Sequence, residues 1–160
     1  MATPEDARVA LLERLIDHAP LFPPASLELP EALAEDARAR ASPSAFMLGR
    51  FVCPASRLGK LPDVGRGVSA VVDAQVPAEP RIEAVEQPPY SDPGVCMHTA
   101  PHVYYEVTLD DDLEDRLDHL AELRLSAKVR CGGASVPEPA ALARFVRACG
   151  ERDLAFKATA

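Results

Sequence analysis

Two cations and two glycines stand close together in the stretch SAKVRCGGAS, at residues 126–135. Lys128 and Arg130 are two residues apart, so on a β-strand they project from one face. Gly132 and Gly133 follow, and glycines let backbone N–H groups approach a ligand closely. The combination predicts binding of a carboxylate or phosphate, because arginine supplies two parallel donors and lysine a point charge. The alternative is a solvated edge strand whose glycines only shape a turn.

Polar side chains on other predicted strands fall on the same face as these two cations. The polar face expected from strict alternation comprises Asp73, Glu83, Tyr104, Glu106, Lys128, Arg130, Lys157 and Thr159. A polar face of mixed sign is typical of the inside of a (β/α) barrel, whose active sites lie at the carboxyl ends of the strands. If the face is instead exposed to water, the same charges form cross-strand ion pairs worth about 0.2–1 kcal/mol each.

The lysines of this face could act as nucleophiles. A lysine that is desolvated beside another cation has a lowered pKa, and Lys128 or Lys157 could then form a Schiff base with a carbonyl substrate. The sequence KATA, which begins at Lys157, is loosely similar to class I aldolase strands. Glu106 would be the general base, or only the partner of the cations. The residues expected to bind the substrate are Tyr104, Arg130, Gly132, Gly133 and Thr159. No cofactor is assigned to this chemistry.

A long predicted loop, QPPYSDPGVCMHTAP at 87–101, carries residue types that bind metals. Cys96, His98 and His102 lie close together in and after this loop, and all three are zinc-ligand types. Their spacing matches no known zinc site, and no second ligand pair follows in the sequence. Zinc is therefore a weak candidate, and in the alternative these are ordinary loop residues.

Hydrophobic periodicity predicts the elements that would position these residues. Helices are predicted over 4–18, 30–41, 110–123 and 138–151, with a short one near 55–61. Strands are predicted over 45–54, 67–74, 81–86, 102–107, 126–131 and 155–160. From residue 102 the order is β-α-β-α-β, which indicates parallel strands joined by helical crossovers. The link between 74 and 81 is too short for a crossover, so those two strands either pair antiparallel or one of them is no strand.

The fold class expected is α/β, an incomplete (β/α) barrel or half-barrel with N-terminal helices. At 160 residues the chain has the size of one domain, with a helical segment over 1–42 and a barrel-like part over 43–160. The last predicted strand, AFKATA, ends with the chain and has no helix after it. Either this strand lies in the middle of the sheet, or another subunit covers it, or the chain is a portion of a longer protein.

The overall charge narrows the range of partners. A net charge of −8 and a pI near 5.0 argue against nucleic acid and anionic membranes, which need a basic face. No apolar run approaches the ~20 residues of a membrane span, and the N-terminus lacks a signal-peptide pattern, so a cytoplasmic location is expected. The four scattered cysteines are expected to be reduced and mostly buried. An anionic small molecule and a second copy of the chain are the partners that remain.

Several spaced motifs give the chain a resemblance to a known group. The segments APLFPPASL, FMLGRFVCPASRL, VYYEV, KVRCGG and FKATA occur in this order, and together they resemble a family of uncharacterised bacterial proteins about twice as long. In that family the last motif continues into Gly-Leu-His-His, and this chain ends just before it. The resemblance implies a barrel-like fold and an N-terminal portion of the family's chain, and it implies little about activity.

Overall fold

Seven parallel β-strands form one curled sheet in a computed structural model that describes residues 7–91, 100–133 and 136–159. The strands are β1 Ile16–His18, β2 Leu48–Pro54, β3 Val68–Val71, β4 Ile82–Gln87, β5 His102–Glu106, β6 Ser126–Arg130 and β7 Phe156–Thr159. They lie side by side in chain order, and each neighbouring pair is parallel. The sheet is an incomplete (β/α) barrel, which confirms the predicted fold class.

Helices cover the outer face of the sheet. The α-helices are α1 Ala7–Leu12, α2 Leu29–Arg40, α3 Leu113–Glu122 and α4 Pro139–Glu151, and two 3-10 helices span Ala45–Met47 and Ala55–Lys60. Leu113, Leu117 and Leu120 recur on one face of α3 at the spacing of a helical turn and are buried. Pro139 starts α4, where its missing N–H removes no helical hydrogen bond. Within the described ranges, no helix is long and apolar enough to cross a membrane.

The core lies between these helices and the apolar face of the strands. Phe51 and Cys53 of β2 are buried together with Leu58 of the following 3-10 helix. In the C-terminal half, Val129 of β6 is buried together with Phe145 of α4. Burial of a large apolar side chain contributes about 1.5–3 kcal/mol. One face of each strand therefore packs against the helices, and the alternate residues line the inner face.

The C-terminal half follows the predicted β-α-β-α-β order. Helix α3 joins β5 to β6, helix α4 joins β6 to β7, and both pairs of strands are parallel. Strand β6 consequently has a hydrogen-bonded neighbour on each side. The edge-strand interpretation of SAKVRCGGAS is therefore wrong.

The predicted helix over 4–18 is wrong at its C-terminal end. After α1, Arg14 takes a positive φ of 53° and the chain enters β1. There the Asp17 carboxylate accepts a hydrogen bond of 2.7 Å from the backbone N–H of Arg50 in β2. The local pattern is helical, but pairing with a distant strand decides the conformation. The segment 1–42 thus contributes a strand to the sheet.

The connection between β3 and β4 also differs from the prediction. The two strands are parallel, although only residues 72–81 join them and no helix lies between. Arg81 anchors the end of this connection, because its guanidinium donates to the carbonyl oxygens of Leu58 at 2.9 Å and Leu61 at 2.7 Å. Val76 is buried in the adjoining core. An anchored, extended loop therefore replaces the helical crossover, and the prediction of antiparallel pairing or a missing strand is wrong.

Candidate active site

Glu86 is the centre of a charged cluster on the inner face of the sheet. The residue is 2% exposed. Its carboxylate accepts hydrogen bonds from the Ser69 hydroxyl and the Lys157 ammonium, each at 2.7 Å. The Nζ atom of Lys128 lies 3.2 Å from the other carboxylate oxygen. Side chains from β3, β4, β6 and β7 therefore meet at one carboxylate.

Lys157 joins the two edges of the sheet. Its ammonium group on β7 donates to Asp17 on β1 at 2.7 Å as well as to Glu86. It also lies 5.5 Å from the centre of the Tyr104 ring, within the range of a cation–π contact. Because β1 and β7 are the first and last strands in the order, this contact requires a strongly curled sheet. The polar face is therefore the concave one.

Glu106 holds the other two predicted cations near the carboxyl ends of the strands. Its Oε2 atom lies 3.0 Å from Lys128 Nζ. Arg130 donates from Nε and Nη2 to the two carboxylate oxygens, each at 3.1 Å, in a bidentate pair. The side chain of Lys128 is 5% exposed and that of Arg130 is 48% exposed. This group of contacts therefore runs from the interior to the surface.

The contacts in this cluster favour the charged forms of Glu86, Glu106 and Lys157. Burial alone would raise the pKa of Glu86, but the attraction of Lys157 and Lys128 outweighs it, and the pKa is lowered. Burial also opposes ionisation of Glu106, yet hydrogen bonds from Arg130 and Lys128 lower its pKa. Burial would lower the pKa of Lys157, but Glu86 and the carboxylate on β1 raise it. The lowered pKa expected of a Schiff-base lysine is therefore wrong for Lys157 in this set of contacts.

Further charges extend the inner face towards the amino ends of the strands. Glu83 accepts a hydrogen bond of 2.6 Å from Arg14 and lies 3.4 Å from Arg50 Nε. Gly67 leaves room for this arrangement, since a Cβ there would overlap the Glu83 carboxylate. Arg50 Nη1 also lies 3.7 Å from Asp17. Glu83 thus extends the polar face, at the end away from the bidentate pair.

One network of ion pairs joins four of the predicted residues, which are Glu106, Lys128, Arg130 and Lys157. Tyr104 contacts this network through Lys157. Thr159 lies opposite Arg130 in the register of β6 and β7. Gly132 and Gly133 follow β6, and Gly133 has a positive φ of 71° with no described atom within 4 Å of a Cβ position. Gly133 therefore serves the turn. The catalytic and binding roles of these residues stay predictions.

Asp73 does not join the cluster, and its predicted place on the polar face is wrong. Strand β3 ends at Val71, so alternation no longer governs the side chain two residues later. The Asp73 carboxylate accepts hydrogen bonds from the backbone N–H of Ser56 at 2.8 Å and from its hydroxyl at 2.6 Å. Desolvation opposes ionisation, but these hydrogen bonds lower the pKa of Asp73. The pair links the 3-10 helix that follows β2 to the loop that follows β3.

Sequence reasoning missed Glu86 and Asp17. Strict alternation places Glu86 on the same side as Ile82, facing the helices. In the structure the register of β4 shifts between Ile82 and Ala84, so that Val85 faces the core and Glu86 faces inward. Asp17 belonged to a predicted helix, so it was not expected on the polar face of the sheet. The one signal available for Glu86 was that an acidic residue rarely lies buried among apolar ones without a partner.

Two open clefts in the described part of the chain lie away from this cluster. A cleft of about 340 Å³ is lined by Asp112, Arg116 and His119 among others, and one of about 360 Å³ by Val146 and Phe156 among others. Neither is lined by a predicted site residue. The charged cluster is the candidate site, because ionisable groups with shifted pKa values often gather at functional sites.

Two of the three metal candidates, Cys96 and His98, lie outside the described residues. His102 is the exposed first residue of β5. Among the residues that the structure describes, no group of three or more His, Cys, Asp or Glu side chains is arranged to hold a metal ion. A zinc site on this loop stays a prediction.

Cysteines in the described ranges behave as small apolar residues. Cys53 and Cys149 are buried, and Cys131 is partly buried. Burial raises the pKa of the thiol to about 11 in both Cys53 and Cys149. Both thiols therefore stay protonated and unreactive near neutral pH.

Comparison of the chain with protein families, with curated proteins and with solved structures finds no match. The case for a function therefore depends on the geometry of the inner face.

Proposed function

We propose that the chain is a lyase-type enzyme that binds a small anionic carbonyl compound on the inner face of its incomplete barrel. The placement of its lysines is the observation that carries the proposal. The chain contains three lysines, and two of them, Lys128 and Lys157, stand opposite each other on adjacent strands of this face. The third, Lys60, is exposed on the outside.

Lysine and arginine are not equivalent at such positions. The other fourteen of the seventeen cationic residues in the chain are arginines. Arginine stays charged and binds a carboxylate with two donors, so it suits a purely structural ion pair better. A lysine amine can lose its proton and attack a carbonyl carbon. Because a buried ion pair adds little net stability, chemistry explains two buried lysines better than stability does.

Lys157 is the nucleophile in this proposal, and Lys128 is the neighbouring cation. The side chain of Lys157 is 13% exposed against 5% for Lys128, so a substrate reaches it more readily. Lys157 first loses a proton to water, while Glu86, 2.7 Å away, stays ionised. The neutral amine then attacks the carbonyl carbon. One nitrogen proton and one proton from the surrounding water go to the carbonyl oxygen, which leaves as water, and an iminium ion is formed.

The positively charged iminium ion attracts the electron pair of a nearby carbon–carbon bond of the substrate, and that bond then breaks. Glu106 accepts the proton of a hydroxyl group on the departing carbon, and that carbon leaves as a carbonyl product. The electron pair of the broken carbon–carbon bond forms an enamine on the remaining fragment. A proton then returns to the enamine carbon, and water hydrolyses the iminium ion to release the second product. The anionic group of the substrate is bound by Arg130 and by the turn at Gly132 and Gly133.

Reductive trapping of the iminium ion tests this proposal. The chain is incubated with pyruvate, glyoxylate or succinic semialdehyde and cyanoborohydride, and the alkylation of each lysine is measured by mass spectrometry. We expect Lys157 to be modified at least tenfold faster than Lys60, although Lys60 is more exposed. The rate should rise with pH, since the pKa of Lys157 is raised and only the neutral amine reacts.

Lys60→Met is the matched control, and it should leave trapping at Lys157 unchanged. Lys128→Met should slow the trapping, because loss of this neighbouring cation removes a repulsion from the Lys157 ammonium and raises its pKa further. Modification of the three lysines in proportion to their exposure would contradict the proposal.

The second candidate is a non-catalytic domain whose inner charges are structural. It is favoured by the pairing of Lys128, Lys157 and Arg130 with carboxylates at 2.7–3.2 Å. A second copy of the chain would then cover the exposed apolar residues near the sheet edges, which include Ile16 and Phe156. Light scattering would show a dimer, and no lysine would be trapped. Both candidates are proposed for the cytoplasm, with no nucleic-acid partner.

A further inference from the structure

Among the three cations Lys128, Arg130 and Lys157, Arg130 is the one most accessible to an anion in solution. Its side chain is 48% exposed, whereas those of Lys128 and Lys157 are 5% and 13% exposed. As the last residue of β6 it stands at the carboxyl end of the sheet. This is the end at which the active sites of (β/α) barrels are built.

The guanidinium of Arg130 has donors that Glu106 does not use. A guanidinium carries five N–H donors in a planar fork. In the described structure, Glu106 takes one from Nε and one from Nη2. The side formed by Nη1 and Nη2 therefore offers a second pair of parallel donors. A carboxylate can bind there without displacing Glu106.

The register of β6 and β7 sets the distance between this anion site and the lysines. Arg130 lies opposite Thr159, and Lys128 lies opposite Lys157. These two pairs form two levels of the inner face. The levels are two residues apart, which corresponds to about 6.6 Å along a strand. Glu106 Oε2 lies 3.0 Å from Lys128 Nζ and 3.1 Å from Arg130 Nη2, which keeps the cationic heads close together.

We infer that the substrate is a short oxo acid, with its carboxylate on the free side of Arg130 beside Thr159 and its carbonyl carbon at Lys157. This inference rests on the proposed function and adds the size of the substrate. The spacing of the two levels admits no more than about three carbon–carbon bonds between the carboxylate carbon and the carbonyl carbon. In a longer oxo acid, one of the two groups would lie outside its site.

Binding of the oxo acid is expected to be weak. Three carboxylates balance three cations in this part of the inner face, namely Asp17, Glu86, Glu106, Lys128, Arg130 and Lys157. The attraction for an anion therefore comes from the direction of the donors and not from a net positive charge. We expect half-saturation at about millimolar concentration.

The test compares trapping rates at Lys157 for three aldehydes that share the same reactive group. Succinic semialdehyde has the short spacing, an ω-oxo acid with twice as many carbon atoms has the long one, and butanal has no anion. We expect the short oxo acid to react at least tenfold faster than butanal at low concentration. The long oxo acid should react about as slowly as butanal.

Arg130→Met should bring the ratio between the short oxo acid and butanal close to one. Arg144→Met is the matched control, because Arg144 makes a bidentate pair with Glu114 on the outer side. It should leave the ratio unchanged. Arg130→Lys keeps the charge without the fork, and we expect it to retain only a minor part of the preference. Circular dichroism confirms the fold of each variant, and Arg130→Lys decides the outcome if Arg130→Met is unfolded.

The outcomes separate this inference from the proposed function. Equal trapping of all three aldehydes at Lys157 would overturn the inference on substrate size and leave the Schiff-base proposal standing. A preference that survives in both Arg130 variants would overturn the role of Arg130. Failure of Lys157 to trap any aldehyde would overturn the proposed function, and the inference with it.

Discussion

Among single residues, Glu86 connects several strands on the inner face. It is 2% exposed and contacts Ser69, Lys128 and Lys157 from three other strands. Taking a carboxylate out of water costs several kcal/mol, and its attraction to the two ammonium groups offsets that cost. Removal of the carboxylate would take one partner from each of two buried lysines. This lowers the free energy of unfolding more than the loss of a surface pair does.

Glu86→Gln is expected to lower the free energy of unfolding by about 3–5 kcal/mol. The amide keeps the shape of the side chain and loses its charge, so Lys128 and Lys157 each retain a single carboxylate partner. Urea denaturation followed by circular dichroism measures the change.

Glu114→Gln is the control for this prediction. Glu114 is paired with Arg144 on the outer surface, where solvent screens the pair. We expect no change in stability that the denaturation curve resolves. A loss in Glu86→Gln no larger than in this control would show that the central carboxylate has no structural role.

Among the elements, β2 and the segment that leads into β1 approach each other closely near the site. A Cβ at Gly49 would lie 2.8 Å from the carbonyl oxygen of Arg14 and 2.5 Å from Asp17 Oδ1. The carbonyl belongs to the backbone and cannot move aside cheaply. A glycine at this position lets β1 approach closely enough for Asp17 to reach Lys157.

Gly49→Ala is therefore expected to lower the free energy of unfolding by about 1–3 kcal/mol through overpacking. Gly59→Ala is the matched substitution, because no described atom lies within 4 Å of a Cβ at Gly59. It should be neutral or slightly stabilising, since alanine restricts the unfolded chain. Thermal unfolding of the two variants measures the difference. Equal melting temperatures would contradict the close packing of β1 against β2.

At the scale of the whole molecule, one ion pair connects the two edges of the sheet. Asp17 on β1 and Lys157 on β7 are 2.7 Å apart, although five strands separate them in the sheet order. The pair helps to hold the sheet in its curled form. It also brings the residues of the N-terminal segment to the proposed nucleophile.

Asp17→Asn should make the two edge strands open more often and leave the central strands protected from hydrogen exchange. The amide oxygen can still accept from the backbone of Arg50, but the amide nitrogen faces the Lys157 ammonium, and two donors repel. Hydrogen exchange measured by mass spectrometry should show several-fold faster exchange in β1 and β7, with β3 and β4 unchanged. Asp118→Asn, which removes an exposed pair with Arg152, is the control. Uniform acceleration across all strands would contradict a local role.

Much of the fold was predictable because its determinants are local. The leucine spacing of α3 and the apolar alternation of β6 act within a few residues, and both are found as predicted. β1 was not predictable in this way, since its strand conformation depends on pairing with β2. The parallel return from β3 to β4 was missed because Arg81 anchors the loop to carbonyl groups twenty residues earlier.

The candidate site, like the fold, was predictable only in part. The amino-acid sequence alone determined that Glu106, Lys128, Arg130 and Lys157 share one face, because side chains alternate along a strand. Only the tertiary structure decided that this face is concave and that Glu86 and Asp17 join it. A one-residue shift in β4 and the curl of the sheet control those contacts. Both arise from the packing of strands far apart in the chain, which no local pattern of residues records.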